Sequence, residues 1–483
     1  MSDDIKNGAW QPVGSLAEGV RSGKLKARDL VEQALASIDR AEPYHAVLAK
    51  TTERARQRAA EIDALVEKGD YTGRLAGVPF IAKDNFLAFG AETTAASNIL
   101  KGFEAPYQAT TIERLEAEGA ICVAKANLDA FAHGASTENS DFGPTLNPHD
   151  VGRVPGGSSG GSAAAVVLEL APFALGTDTG GSIRQPASLS GCVGFKPTYG
   201  LVSRSGVVAM ASSLDVIGPM TRTVEETGLI LDVMAGNDDR DSTTIPRDTA
   251  SYAELSEGDL KGKRVGVVAE YMGEGVEPAV RQAVERAVEA LKSAGADVRT
   301  VSLPSLGSAL AAYYIICPAE VSSNLSRYDG QRFGYSHDEA STLDDSYAKS
   351  RGHGFGKEAK RRIMIGTYVL SSGYYDAYYK QAQTVRTKLI NEFNEAFETH
   401  DFLLGPVSPT TAFRLGDNAD PLQMYLVDIM TVAANLTGIP AISLPCGVAE
   451  TDGSSLPIGL QLMAPQRADR ALLTFAKQTE ALL

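Results

Sequence analysis

The sequence is poor in cysteine, with four in 483 residues, and has a single tryptophan. Cys122, Cys192, Cys317 and Cys446 show no CxxC or zinc-like spacing. This argues against a disulfide framework or zinc ribbon and marks them as reduced, mostly buried residues. No apolar run reaches the roughly 18 residues that a membrane-spanning helix needs. The nearest, Ala163 to Leu175, is broken by Glu169 and Pro172. Positive charge is also in deficit, since 45 Lys and Arg against 60 Asp and Glu leave a net charge of −15. Such a chain is a poor candidate for gripping a phosphate backbone by itself, which takes clustered Lys and Arg that a bound partner could supply. The opening MSDDIKNGAWQPVG has neither the basic start nor the apolar middle of a secretory leader, so the expected location is cytoplasmic. Internal repeats and low-complexity tracts are missing as well.

What is present suffices for a large core, with 43% apolar and 22% charged residues. The length allows two or three domains, or one large α/β domain with insertions. Leu30, Val31, Ala34, Leu35 and Ile38 form one face of a helix over 27–40, and a charged helix follows from Glu53 to Lys68. Short apolar runs at 78–82, 121–124 and 173–176, separated by helix-like segments, read as buried strands of an α/β sheet. Thr223 and Glu226 fit a capping box. The polar stretch Gly236 to Lys263 reads as a long surface connection. Sheet-like runs then resume at Arg264–Val268, near Val298, at 402–404 and at 442–444, with a helix through Val280, Val284, Ala287 and Leu291. Tyr374, Tyr375, Tyr378 and Tyr379 have the spacing of a packing stripe on a long helix.

Two clusters carry the chemistry. The first is Pro155-Gly156-Gly157-Ser158-Ser159-Gly160-Gly161-Ser162, followed by a helix-like stretch over 163–170. Glycine lets backbone N–H groups converge on one point. A phosphate cradle, a tight structural turn and a nucleophile site all use such a loop. The cradle is disfavoured, because neither a Lys-Ser/Thr ending nor GxGxxG spacing is present. The second cluster, Gly176-Thr177-Asp178-Thr179-Gly180-Gly181-Ser182-Ile183-Arg184-Gln185-Pro186, places a serine on a sharp turn after a buried run. Its N–H donors suit an oxyanion hole, where donors are aimed at charge that develops only in the transition state. The GxSxG elbow is absent. None of the six histidines sits in a triad context, whereas Lys83 ends an apolar strand where burial lowers its pKa toward a neutral base.

Together, Lys83, the GGSSGGS loop and DTGGSIRQP resemble the amidase signature family. The resemblance implies a Ser–cisSer–Lys triad, with Ser182 as nucleophile, Lys83 as ultimate base and Ser158 as relay. It also implies a cis peptide bond entering Ser158, and an oxyanion hole from the N–H groups of Thr179, Gly180, Gly181 and Ser182. Ser159 and Ser162 support the loop. The implied fold class is α/β, a mixed twisted β-sheet covered by helices on both sides. One amidase domain spans 1–483, with N-terminal helices over about 15–68, a catalytic core over about 70–235 and a C-terminal part over about 262–483.

Further motifs, including STENS at 136–140, KPTYG at 196–200, ASSLD at 211–215 and PAEVSSN at 318–324, resemble the A subunits of glutamyl-tRNA(Gln)/aspartyl-tRNA(Asn) amidotransferases. So do KRRI at 360–363 with GTYVL at 366–370, and Met424-Tyr425 with Asp428-Ile429. That resemblance implies glutamine as substrate, with Asp428 on its ammonium, Arg362 on its carboxylate and Tyr313 nearby. It implies a heterotrimer with the B and C subunits. tRNA, ATP and Mg would be handled mainly by B, with no metal and no cofactor in this chain. A free-standing amidase for another small or aryl amide is the alternative. Two segments depart from the family's usual pattern: Ser188-Leu189-Ser190-Gly191-Cys192, and Phe131-Ala132-His133-Gly134-Ala135, where histidine replaces methionine. His133 leaves the polarity of the pocket open.

Overall fold

A computed structural model describes residues 9–483 except 70, 72, 257, 418 and 419. The first eight residues, part of the segment read above for a leader, lie outside it. The described strands are β1 (Val47–Lys50), β2 (Pro79–Lys83), β3 (Ile121–Ala126), β4 (Phe173–Asp178), β5 (Val193–Lys196), β6 (Val216–Thr221), β7 (Arg264–Val268), β8 (Asp297–Val301), β9 (Phe402–Pro406), β10 (Ala441–Thr451) and β11 (Ser454–Met463). They form one sheet in the order β1-β3-β2-β4-β6-β5-β10-β11-β9-β7-β8. β2 runs parallel to β3 and β4, and β7 parallel to β8 and β9; the other pairs are antiparallel, so the sheet is mixed.

Strands β2, β3, β4, β6 and β9 are buried at every position, which requires cover on both faces and explains why β2, β3, β4 and β9 read as short apolar runs. The helices provide that cover. Ala27–Arg40 buries Leu30, Val31, Ala34 and Ile38, and Pro278–Ser293 buries Val280, Val284, Ala287 and Leu291. No described helix is long and apolar enough to cross a membrane.

Several elements differ from the sequence expectation. The helix after the Gly/Ser loop runs Gly160–Val167, so it begins inside the loop and ends three residues early. A side chain at Gly161 would lie 2.4 Å from the Asn127 carbonyl, and one at Gly160 would strike Thr137. Those glycines therefore admit the first turn into a crowded corner. The tyrosines occupy a π-helical segment, Tyr375–Tyr379, leading into the helix Lys380–Thr399. Tyr374, Tyr375 and Tyr378 are exposed and form no buried stripe: Tyr374 and Tyr378 cluster with Tyr368 on the surface, and Tyr375 stacks on Tyr379. Thr223 caps its helix as expected, accepting from Glu226 N–H at 3.3 Å, but the Glu226 carboxylate turns to Arg222 N–H. Among described residues, the long connection before β7 contains no helix or strand beyond residue 235, and is anchored by buried Tyr252, Leu255 and Leu260.

Candidate active site

Lys83 is the last residue of β2, and Asp178 the last of its parallel neighbour β4. The site thus forms at the carboxyl ends of adjacent parallel strands, where loops diverge and leave room for a ligand. The alternation of β2 sends Lys83 into the interior, where it is fully buried. Its Nζ donates to Ser158 Oγ at 2.8 Å, Ser159 Oγ at 2.9 Å and Thr177 Oγ1 at 2.9 Å. Among the described residues no carboxylate touches it. Burial therefore pushes its pKa down to about 7, against the opposing pull of the more distant Asp129, Asp178 and Asp215. The Gly157–Ser158 peptide bond is cis.

Two carboxylates shape the loops that bring the serines to this lysine. Asp129 accepts the N–H groups of Ser136, Thr137 and Asn139 at 2.9–3.3 Å and lies directly under Gly157, where a Cβ would come within 2.2 Å of it. Gln185 holds Gly157 N–H from the other side at 2.8 Å. Asp178 organises the turn carrying Ser182. Its carboxylate accepts from Gly181 N–H at 2.8 Å, from Ile183 N–H at 3.2 Å and from the buried Arg184 guanidinium at 2.9 and 3.0 Å. Burial alone would raise the Asp178 pKa, but the Arg184 charge outweighs it and holds the carboxyl at about 2. Arg184 is in turn fixed by Thr431, Asn435 and Gln461, and Thr431 Oγ1 donates to the Gly180 carbonyl at 2.5 Å.

Ser182 is buried beside the Gly/Ser loop, and its carbonyl accepts Ser159 N–H at 3.2 Å. Lys83 and Ser158 are thus joined by a side-chain hydrogen bond, while Ser182 meets the loop through the backbone of Ser159. Of the four N–H groups expected in the oxyanion hole, that of Gly181 is committed to Asp178. Those of Thr179, Gly180 and Ser182 have no protein acceptor among the described residues.

The residues expected to bind an amino acid gather on the other side of this turn. The Tyr313 ring packs on Gly180, so closely that a Cβ there would lie 2.6 Å from it. Arg362 is buried, paired through Nε with Glu358 at 2.8 Å, and sits 5.4 and 5.6 Å from the stacked rings of Tyr314 and Tyr425. Asp428 accepts the Tyr314 hydroxyl at 2.6 Å. Burial raises the Asp428 pKa to about 7, although the Tyr314 hydroxyl and Arg362 work against that. Arg362 and Asp428 thus both meet the Tyr314 side chain, the guanidinium over its ring and the carboxylate at its hydroxyl. On the flank of Thr177 and Thr179, a cavity of ≈ 190 Å³ is lined also by Asn85, Arg204, Met210 and Asp215.

The structure therefore brings Lys83, Ser158 and Ser182 into one neighbourhood, with Tyr313, Arg362 and Asp428 around it. Sequence reading missed Thr177, Asp129, Asp178 and Arg184, and assigned Ser159 only to loop support although it holds Lys83 directly. It also missed Glu358, Tyr314 and Tyr425. A signal existed for Glu358, which stands four residues before Arg362 on one helix face. Tyr314 stands next to the chosen Tyr313, but its partner lies 114 positions away.

A mixed sheet with a buried lysine between two serine-bearing glycine loops defines an amide-hydrolysing class of site. The amidase family model matches residues 29–473, and the chain belongs to that family. It is 49% identical over 471 residues to a Clostridium acetobutylicum protein named as a second A subunit of glutamyl-tRNA(Gln) amidotransferase, covering 97% of this chain and 98% of that one. The crystal structure of the Thermotoga maritima glutamyl-tRNA(Gln) amidotransferase A subunit superposes with a TM-score of 0.77 at 39% identity, covering 96% of this chain and 93% of that one. A bacterial aryl acylamidase of the amidase signature family superposes with a TM-score of 0.85 at 25% identity, covering 98% and 96%.

Proposed function

We propose that this chain is the glutamine-hydrolysing subunit of a tRNA-dependent amidotransferase. The observation that carries the reading is the placing of Arg362 and Asp428, opposite charges buried on one wall, beside the turn that bears Ser182. Glutamine offers matching groups, a carboxylate for Arg362 and an ammonium for Asp428. That arrangement directs its side-chain amide toward Ser182. The identity of 49% to a protein named as an A subunit of glutamyl-tRNA(Gln) amidotransferase supports the same reading.

In this reading neutral Lys83 accepts a proton from Ser158 as Ser158 takes one from Ser182. Ser182 Oγ then forms a bond to the carboxamide carbon. The negative oxygen that develops faces the uncommitted N–H groups of Thr179, Gly180 and Ser182. The carbon–nitrogen bond breaks, a proton returns through Ser158 to the leaving nitrogen, and ammonia departs. Water then attacks the glutamyl ester by the same relay and releases glutamate. Ammonia passes to a B subunit that activates Glu-tRNA(Gln) or Asp-tRNA(Asn) with ATP and Mg, while a small C subunit bridges the two. No cofactor in this chain enters these steps.

Ser182→Ala is the direct test. Glutamine-fed amidation of tRNA falls to background, a loss of at least about 10³-fold in kcat, while amidation fed by free ammonia continues at its wild-type rate. Equal loss of both would show that the nucleophile and the division of labour are misassigned.

A further inference from the structure

His133 is almost completely buried, and neither of its ring nitrogens has a hydrogen-bond partner among the described residues. Buried polar groups are normally paired, so a doubly orphaned imidazole calls for a ligand. Its position is set by the loop that carries it. Asp129 gathers the N–H groups of Ser136, Thr137 and Asn139, which bows residues 130–135 into a tight loop, with Phe131 and Ala132 at φ of 54° and 63°. Asn139 Nδ2 donates to the His133 carbonyl at 3.2 Å. The Phe131 ring packs on Tyr328 and Phe355 at 5.1 and 5.5 Å. Phe355 lies just before the helix Lys357–Leu370, which carries Glu358 and Arg362. Through Phe131 and Phe355 the loop is thereby tied to the start of that helix.

We propose that His133 faces the substrate and holds the α-carboxylate of glutamine together with Arg362. This rests on the glutamine reading above. Arg362 gives its Nε to Glu358, and its Nη1 and Nη2 have no protein acceptor among the described residues. A carboxylate accepts more hydrogen bonds than a guanidinium fork provides, so an N–H donor beside Arg362 has a use. Burial, reinforced by the Arg362 charge, holds the His133 pKa well below its ordinary value. The ring is therefore a neutral donor that adds no second cation beside the guanidinium.

The test compares glutamine with its α-amide, which lacks the carboxylate, as substrates of the protein assembled with its partner subunits. His133→Phe raises KM for glutamine about 5- to 30-fold, with kcat changed less than about twofold, and leaves KM for the α-amide unchanged. His133→Asn keeps a donor and recovers most of the glutamine KM. A second readout does not depend on either variant folding: in Ser182→Ala protein with ¹⁵N-labelled histidine, glutamine shifts a buried imidazole resonance and the α-amide does not. If His133→Phe treats both substrates alike, or no such resonance moves, His133 is a packing residue and the proposal is wrong. If the wild-type protein does not hydrolyse glutamine at all, the glutamine reading fails and the role of His133 falls with it.

Discussion

Lys83 is a basic group removed from water with only hydroxyl and carbonyl acceptors in contact. Its folded pKa of about 7 lies below the 10.5 of the free side chain. Between those values the unfolded chain binds one proton more than the native chain, so this group makes stability rise with pH across that window and level off below about 7. Lys83→Met removes the contribution. The pH slope of the unfolding free energy between pH 8 and 10, measured by denaturant titration, is then shallower than in the wild type by about 1.4 kcal/mol per pH unit. An unchanged slope would mean that Lys83 is charged in the folded protein, and hence no base. Buried Lys196, likewise lowered to about 7, keeps its own share of the slope in both proteins. Much of this residue-level chemistry was legible in the sequence, because Lys83 closes an apolar run and both serines stand in glycine-rich loops. What was not legible is which distant polar groups fix the buried cation. Arg184 and Gln461 are 277 positions apart, and no local pattern announces their contact.

At the scale of elements, the turn after β4 is clamped from every side. Asp178 holds its N–H groups, Thr431 its Gly180 carbonyl, and the Tyr313 ring covers Gly180. Gly180→Ala must displace either the ring or the turn, and so moves an N–H that the transition state needs. The expected result is a fall of about 10²-fold in kcat, read by steady-state kinetics, with the far-UV circular dichroism of the wild type. Full activity would place the oxyanion elsewhere. Buried parallel strands were the readable elements, because two covered faces leave an unbroken apolar run. Strands β1, β5 and β6 escaped notice because four residues, or an internal glycine and proline, carry too little pattern. β11 had a signal that went unused: Asp452-Gly453, with φ of 52° and 83°, joins β10 to β11 through a two-residue turn of the Asp-Gly kind.

Across the whole molecule, the sheet links the serine-bearing part of the chain to the part that supplies Tyr313, Arg362 and Asp428, since β5 pairs with β10 near its middle. A net charge of −15 suits a subunit that leaves tRNA contact to a partner. The exposed side chains of Tyr374, Tyr375 and Tyr378 show where sequence reading failed at this scale: the spacing of a packing stripe says nothing about which face is covered. Purification of the tagged protein from its own cells is expected to bring down two further chains in equal amounts, one large and tRNA-binding, one small. Recovery of the protein alone and fully active would favour a free-standing amidase, an activity for which the aryl acylamidase shows the fold is competent.

The most direct test is substrate choice by the assembled wild-type enzyme: ammonia released from glutamine, asparagine and a simple aryl amide, each followed from pH 6 to 9. The buried charge pair and the neutral lysine predict the highest kcat/KM for glutamine, rising with pH through about 7 as Lys83 loses its proton and Asp428 becomes ionised. An aryl amide turned over faster than glutamine, or a rate for glutamine that falls across that range, would contradict it.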